Sequence, residues 1–167
     1  MLIDVLRLTT AWFQHGTHGI NAQLAALDYD GSDTAPANIV TFADEVTQDE
    51  AARGQIPATV PALVTTVESL TMVNNQTATE VGDGTIVLNV RIAVSDPDAW
   101  EAKRNGAYYL RALHWSLRRW VREAPDGVNR ARNQVAVLEI GAVEGNALYE
   151  QVGDVLITAG ARIPLTV

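Results

Sequence analysis

Cysteine is missing from all 167 residues. That removes disulfide bracing, thiolate nucleophiles and cysteine-ligated zinc, and it leaves no thiol to report the redox compartment. Positive charge is scarce: 12 Lys and Arg stand against 20 Asp and Glu, for a net charge of −8. A protein that holds nucleic acid statically is normally basic, because it gains affinity by releasing counterions from phosphates, so the balance argues against that class. It leaves room for an acidic wall past which DNA slides. No run of about 18 apolar residues occurs, so no membrane-spanning helix is expected. Met1-Leu2-Ile3-Asp4-Val5 has an acid where a signal peptide has bases, and no leader is expected. The expected setting is the cytoplasm, or a particle assembled there. Apolar content of 47% is ordinary for a globular chain of this length, and the expectation is one domain over 1–167 with a real core.

The charge that is present is unevenly placed. Eight of the twelve bases lie between Lys103 and Arg132, whereas Asp30 to Glu50 holds six acids and no base. Much of the basic cluster falls in Ser95 to Arg122, which has the features of one long amphipathic helix. Asp96 suits an N-cap and Pro97 the first helical position, with Asp98 and Glu101 placed where the helix dipole favours negative charge. Leu110, Leu113, Leu117, Trp120 and Val121 recur at helical spacing, and Lys103, Arg104, Arg111, Arg118, Arg119 and Arg122 fill the other side. Trp100, Tyr108, Tyr109, Trp115 and Trp120 add an aromatic series, in which the spacing of 100, 108, 115 and 120 is broadly consistent with the core and its margins. Trp115 and Tyr109 fall off the leucine stripe, where they could meet either a neighbouring subunit or another part of the same chain.

Elsewhere the periodicity predicts a helix over Ile3 to Phe13, an interruption at His15-Gly16-Thr17-His18-Gly19, and a second helix over Ile20 to Leu27. Tyr29 to Asn38 has the composition of a loop. Ile39 to Ala43 and Ala62 to Leu70 read as strands, and Asp44 to Pro61 as a long polar excursion. Val73 to Asp83 is a polar connection. Thr85 to Ser95 alternates, with Ile86, Leu88, Val90, Ile92 and Val94 on one face. Ala124 to Arg132 is a loop. Gln134 to Val143, Leu148 to Thr158 and Arg162 to Val167 are the last expected strands, with Ala159-Gly160-Ala161 as the break between the final two. The string ααβββαβββ is an α+β class: a mainly antiparallel sheet packed against an N-terminal helix and one long amphipathic helix.

No constellation for chemistry stands out. His15 and His18 are three apart, as metal ligands on a helix can be, but glycines intervene and no third ligand is near. His114 sits between Leu113 and Trp115 in the long helix, where a packing role is the ordinary one. Gly82-Asp83-Gly84 precedes a strand and lacks the lysine of a phosphate loop, and Gly141 to Gly145 fails the same test. Asp44, Glu45, Asp49 and Glu50 do not have calcium-loop spacing. None of the four serines lies in a nucleophile-elbow context. The residues point to no enzyme, no cofactor and no metal. The opposite charge of two regions suggests contact between copies: Asp44, Glu45, Asp49 and Glu50 of one subunit against Arg111, Arg118, Arg119 and Arg122 of the next. Two solvated faces are the alternative.

The N-terminal helix ending in Gly19-Ile20-Asn21-Ala22-Gln23-Leu24-Ala25-Ala26-Leu27 is one of several features with a familiar order. Ile56-Pro57-Ala58-Thr59-Val60-Pro61-Ala62-Leu63-Val64 opens a strand. An alternating strand then runs into Ser95-Asp96-Pro97-Asp98 and its long helix, and antiparallel strands containing Gly153-Asp154-Val155 close the chain. In this order and texture the chain resembles the tail terminator (tail completion) proteins of long-tailed bacteriophages. The polar excursion at about 44–61 departs from that family. The resemblance implies a small α+β subunit and a ring, hexameric on the family pattern, although the residues themselves leave ring number open. It implies partners in the tail tube protein, a head-side connector or stopper protein, and DNA passing through the lumen without sequence-specific binding. It implies a place in the neck of the virion after assembly in the host cytoplasm, with no membrane involved. A small bacterial adaptor or binding module is the alternative, and a hydrolase with an unrecognised site is a third reading.

Overall fold

The computed structural model describes residues 2–44, 60–72, 84–123, 136–137, 143–150 and 155–166, with side chains over 5–44, 60–70 and 86–120. Among the described residues, three helices and six strands follow one another as α1 (Leu2–Phe13), α2 (Ile20–Ala25), β1 (Thr41–Asp44), β2 (Ala62–Met72), β3 (Gly84–Asp96), α3 (Ala99–Glu123), β4 (Ala136–Val137), β5 (Val143–Glu150) and β6 (Val155–Thr166). The class is α+β. The sheet runs β1-β2-β3-β6-β4, and β5 also pairs with β6. Only β1 and β2 are parallel among these pairs; the other four pairings are antiparallel. One edge of β6 is shared by two strands. Its start, Val155 to Ala161, faces β5, and its end, Leu165 and Thr166, faces β4.

The alternation of β3 sets the position of everything else. Ile86, Leu88, Val90, Ile92 and Val94 are all buried, while Val87, Asn89 and Arg91 between them are not. Period-two burial gives one face to the core. α3 lies over β3 and β6 on that face. Its own inward stripe is Ala102, Tyr109, Ala112, Leu113, Leu117 and Trp120. α1 contributes Val5, Leu6, Trp12 and Phe13, and α2 contributes Ile20 and Leu24 to the same continuous cluster. All three helices therefore cover one side of the sheet. Trp12 ties two of them together: its indole Nε1 donates to the Ser116 carbonyl at 3.1 Å.

The turn between α1 and α2 is tight enough to demand glycine. A Cβ on Gly19 would stand 2.4 Å from the Phe13 carbonyl oxygen and 2.5 Å from that of His15, so only glycine lets the backbone approach this closely. α2 is then fastened to the chain entering the sheet. The Asn21 amide donates to the Ile39 carbonyl at 2.9 Å and accepts from the Ile39 amide at 2.8 Å.

Four sequence expectations need correction. The strand expected over Ile39 to Ala43 is Thr41–Asp44, because Ile39 spends its backbone groups on Asn21 and the Val40 amide donates to Pro61. The helix expected from Asp96 starts at Ala99, because Asp96 is still paired with Val155 in the sheet. Ala159-Gly160-Ala161 is no break: it lies inside β6, and the division falls between Glu150 and Val155, which face each other across β5 and β6. Tyr109 belongs to the buried stripe of α3. The expected loops at Val73 to Asp83 and Ala124 to Arg132 lie outside the described residues, as does most of the excursion expected over Asp44 to Pro61.

Candidate partner-binding surface

α3, the longest helix among the described residues, presents two unlike faces. Its start is capped by Asp98, whose carboxylate accepts from the Trp100 amide at 2.7 Å and the Glu101 amide at 3.3 Å. These bonds satisfy donors that the first helical turn leaves open. Asp96, two residues earlier at the end of β3, instead accepts from the Asp98 amide at 2.8 Å. The inward face is aromatic and aliphatic, as above. The outward face carries Trp100, Lys103, Ala107, Arg111, Trp115 and Arg119, all exposed. Trp100 is 72% exposed and Trp115 38%. The Arg118 guanidinium lies over the Trp115 ring, 5.2 Å from its centroid, an arrangement in which the ring face attracts the cation.

The flank of α3 is clamped by the segment that follows α2. The Tyr108 hydroxyl donates to Asp33 at 2.8 Å, and the Asp30 amide donates to the same hydroxyl at 3.4 Å. Arg104 pairs with Asp33 at 3.2 Å and also with Glu101. The Tyr109 hydroxyl donates to the Ala37 carbonyl in a short hydrogen bond. Tyr29 stacks obliquely on Tyr108, ring centroids 4.7 Å apart, and its hydroxyl donates to the Leu24 carbonyl at 2.6 Å. These contacts raise three phenol pKa values. Tyr109 is raised first by burial, Tyr108 first by the hydrogen bond to Asp33, and Tyr29 first by burial.

The eight residues expected to form contacts between copies separate into three groups. Arg111 and Arg119 are exposed on the outer side of α3, and Arg118 is half-buried against Trp115. Asp44 is not on a surface loop: it is the last residue of β1, only 2% exposed, and accepts from the Thr10 hydroxyl at 3.3 Å. Glu45, Asp49, Glu50 and the side chain of Arg122 lie outside the described residues. The acidic region from Asp30 onward is therefore partly used inside the subunit, with Asp33 on Arg104 and Asp44 in the sheet. Sequence reasoning placed Trp100 with the core and its margins. A helical wheel was the available signal, since at about 100° per residue Trp100 lies roughly 140° from Leu113 and roughly 100° from Leu117, off the leucine stripe.

The histidines form a different arrangement. The Trp12, His15 and His18 rings stack on one another, with His15 and His18 centroids 4.9 Å apart and His18 5.4 Å from Trp12. The His15 Nδ1 accepts from the amides of Thr17 and His18, both at 3.2 Å. This is the chemistry of a closed helix end. Among the described residues, no group of three or more His, Asp or Glu is placed to hold a metal ion, and no helix is long and apolar enough to cross a membrane. No protein-family model matches the chain, and no curated protein matches it.

Proposed function

We propose that this chain is a structural virion protein, a ring at the end of a phage tail tube that stops tail polymerisation and joins the tail to the head connector. The observation that carries the reading is the outward face of α3. Two tryptophans, Trp100 and Trp115, and two arginines, Arg111 and Arg119, are exposed along one helix, and these residue types dominate the energetics of protein contacts. The order of elements and the residues quoted for the resemblance support the same reading. The mechanism is geometric. One face of the ring would receive the last tube ring, the other would receive the head-side connector or stopper protein, and no bond is made or broken. A net charge of −8 suits a lumen through which DNA passes without being held. The ring is assembled in the host cytoplasm and resides in the virion neck.

The test is direct. The purified protein, imaged by negative stain, should form closed rings. Added to polymerising tail tube protein, it should decorate tube ends and halt their growth. A protein that stays monomeric at every concentration and leaves tube length unchanged is no terminator. The exposed tryptophans also favour a second reading, a small adaptor that binds one partner as a monomer or dimer, and the same size measurement separates the two.

A further inference from the structure

We propose that two copies of this chain meet head to tail along α3, the acidic end around Trp100 of one copy against the basic end around Trp115 of the next; the proposal rests on the ring reading above. The two ends of the helix differ in charge. Around its first half lie Asp30, Asp33, Asp96, Asp98 and Glu101, with Asp28 next in sequence to Tyr29, whose ring packs on Tyr108; against them stand Lys103 and Arg104, and Arg104 is already paired with Asp33 and Glu101. Asp30 and Asp33 are held there by Tyr108 and Arg104. From Asn105 to Trp120 there are three arginines and no acid. Each end also exposes one tryptophan, and the two are about 22 Å apart along the helix at 1.5 Å per residue.

The helix dipole explains part of this pattern and not the rest. Asp98 and Glu101 sit in the first turn, where the dipole favours acids, and Asp98 is the cap. Arg111 and Arg118 lie before the last turn, beyond the reach of that effect. Asp28 and Asp30 belong to a different segment. Neither exposed tryptophan belongs to the buried core cluster, although the Trp115 ring carries the Arg118 guanidinium. What remains is a pair of patches on one subunit, opposite in sign, each with an aromatic anchor. The ring reading makes the contact heterologous, one patch of each copy on the other patch of the next, and such contacts close into rings when the rotation allows; an antiparallel pair of α3 helices would instead join both patches across a two-fold axis and stop at a dimer. Opposite charge fixes which end meets which, and the tryptophans supply buried area.

Charge reversal tests the pairing. One variant carries Arg111→Glu with Arg118→Glu, a second carries Asp28→Lys with Asp30→Lys, and a third carries all four changes. Asp98 is left alone because it caps the helix. Assembly is read by sedimentation across protein concentration, and folding by circular dichroism. Each two-site reversal should raise the concentration for half-assembly at least about tenfold. In the four-site variant the exchanged groups are opposite again while Asp33, Asp96, Asp98, Glu101 and Arg119 are kept, so its loss should be clearly smaller than the two two-site losses summed. An equimolar mixture of the two-site variants should assemble better than either alone, by alternation. Trp100→Ala and Trp115→Ala, which leave charge unchanged, should each weaken assembly and serve if a reversal fails to fold.

The remaining outcomes overturn the pairing. If the unmodified protein forms rings that the reversals do not weaken, the ring reading stands and another face makes the contact. If the four-site variant loses as much as the two reversals summed, the two patches do not meet each other. If the arginine reversal abolishes retention of a duplex DNA fragment and leaves assembly intact, the basic end faces DNA. If the unmodified protein is monomeric throughout, the ring reading and this contact fall together.

Discussion

Tyr109 is buried to within 1% of its surface, and its hydroxyl holds the Ala37 carbonyl. Burial disfavours the phenolate, so its pKa in the folded protein lies above the ordinary value of 10.0. The folded state therefore keeps a proton that the unfolded chain gives up. The associated stability is complete below pH 10 and is lost as pH rises beyond that value towards the folded pKa. Tyr108 and Tyr29 shift in the same direction and add to the effect. Unfolding midpoints in denaturant should fall steeply above pH 10, and the fall should be shallower in Tyr109→Phe. At pH 7 the same substitution should cost about 1 kcal/mol, the usual worth of one hydrogen bond whose acceptor can turn to water. An unchanged alkaline limb in the variant would show that other groups control it.

Helix α3 and strand β3 show what a sequence reveals about elements and where it stops. Among the described residues the order ααβββα was legible because each element carries its own period, with β3 the plainest case; the strands after α3 were not, since the expected break at Ala159-Gly160-Ala161 lies inside β6. All five residues from Ile86 to Val94 on its expected face are buried. Val90→Asp should leave no cooperative melting transition, since an unpaired charge in that layer costs several kcal/mol. A soluble variant with a sharp melt would put Val90 on the wrong face. The boundaries were not legible, because distant partners decide them. Asp96-Pro97-Asp98 offers two caps, and the sheet chooses by claiming Asp96 for Val155. Hence Asp98→Ala should lower stability by about 1 kcal/mol and Asp96→Ala by less, in thermal melts of the two variants. The same cause moved β1: Ile39 and Val40 have strand composition, but Asn21 and Pro61 take their hydrogen bonds. At the candidate surface, the basic end of α3 was visible as a cluster of arginines. The fate of Asp33 and Asp44 was not, because a solvated acid and one folded against Arg104 or into a strand look alike in one dimension.

On the scale of the whole molecule, two electrostatic effects act on any pair of copies with opposite signs. Each subunit carries −8, so copies repel at long range. The contact proposed along α3 is attractive at short range, between Asp28 and Asp30 on one copy and Arg111 and Arg118 on the next. Salt distinguishes them by distance. At roughly 0.01 M salt the Debye length is about 30 Å and the whole-molecule repulsion is felt in full. At about 0.1 M it is near 10 Å, so repulsion between molecular centres is largely gone while charges in contact still interact. Near 1 M it is about 3 Å, and the contact pairs are screened as well. Association should therefore strengthen as salt rises from low values, pass through a maximum, and weaken again at high salt. In the Arg111→Glu, Arg118→Glu variant the falling limb should vanish, because its contact is repulsive and salt can only help it. Sedimentation at a fixed protein concentration over this range of salt reads both curves. A monotonic rise in the unmodified protein would mean that apolar contact alone holds the copies together, with the tryptophans sufficient and the charges incidental. A monotonic fall would mean that the net charge is too evenly spread to oppose assembly, leaving the paired ends as the dominant electrostatic effect at every distance.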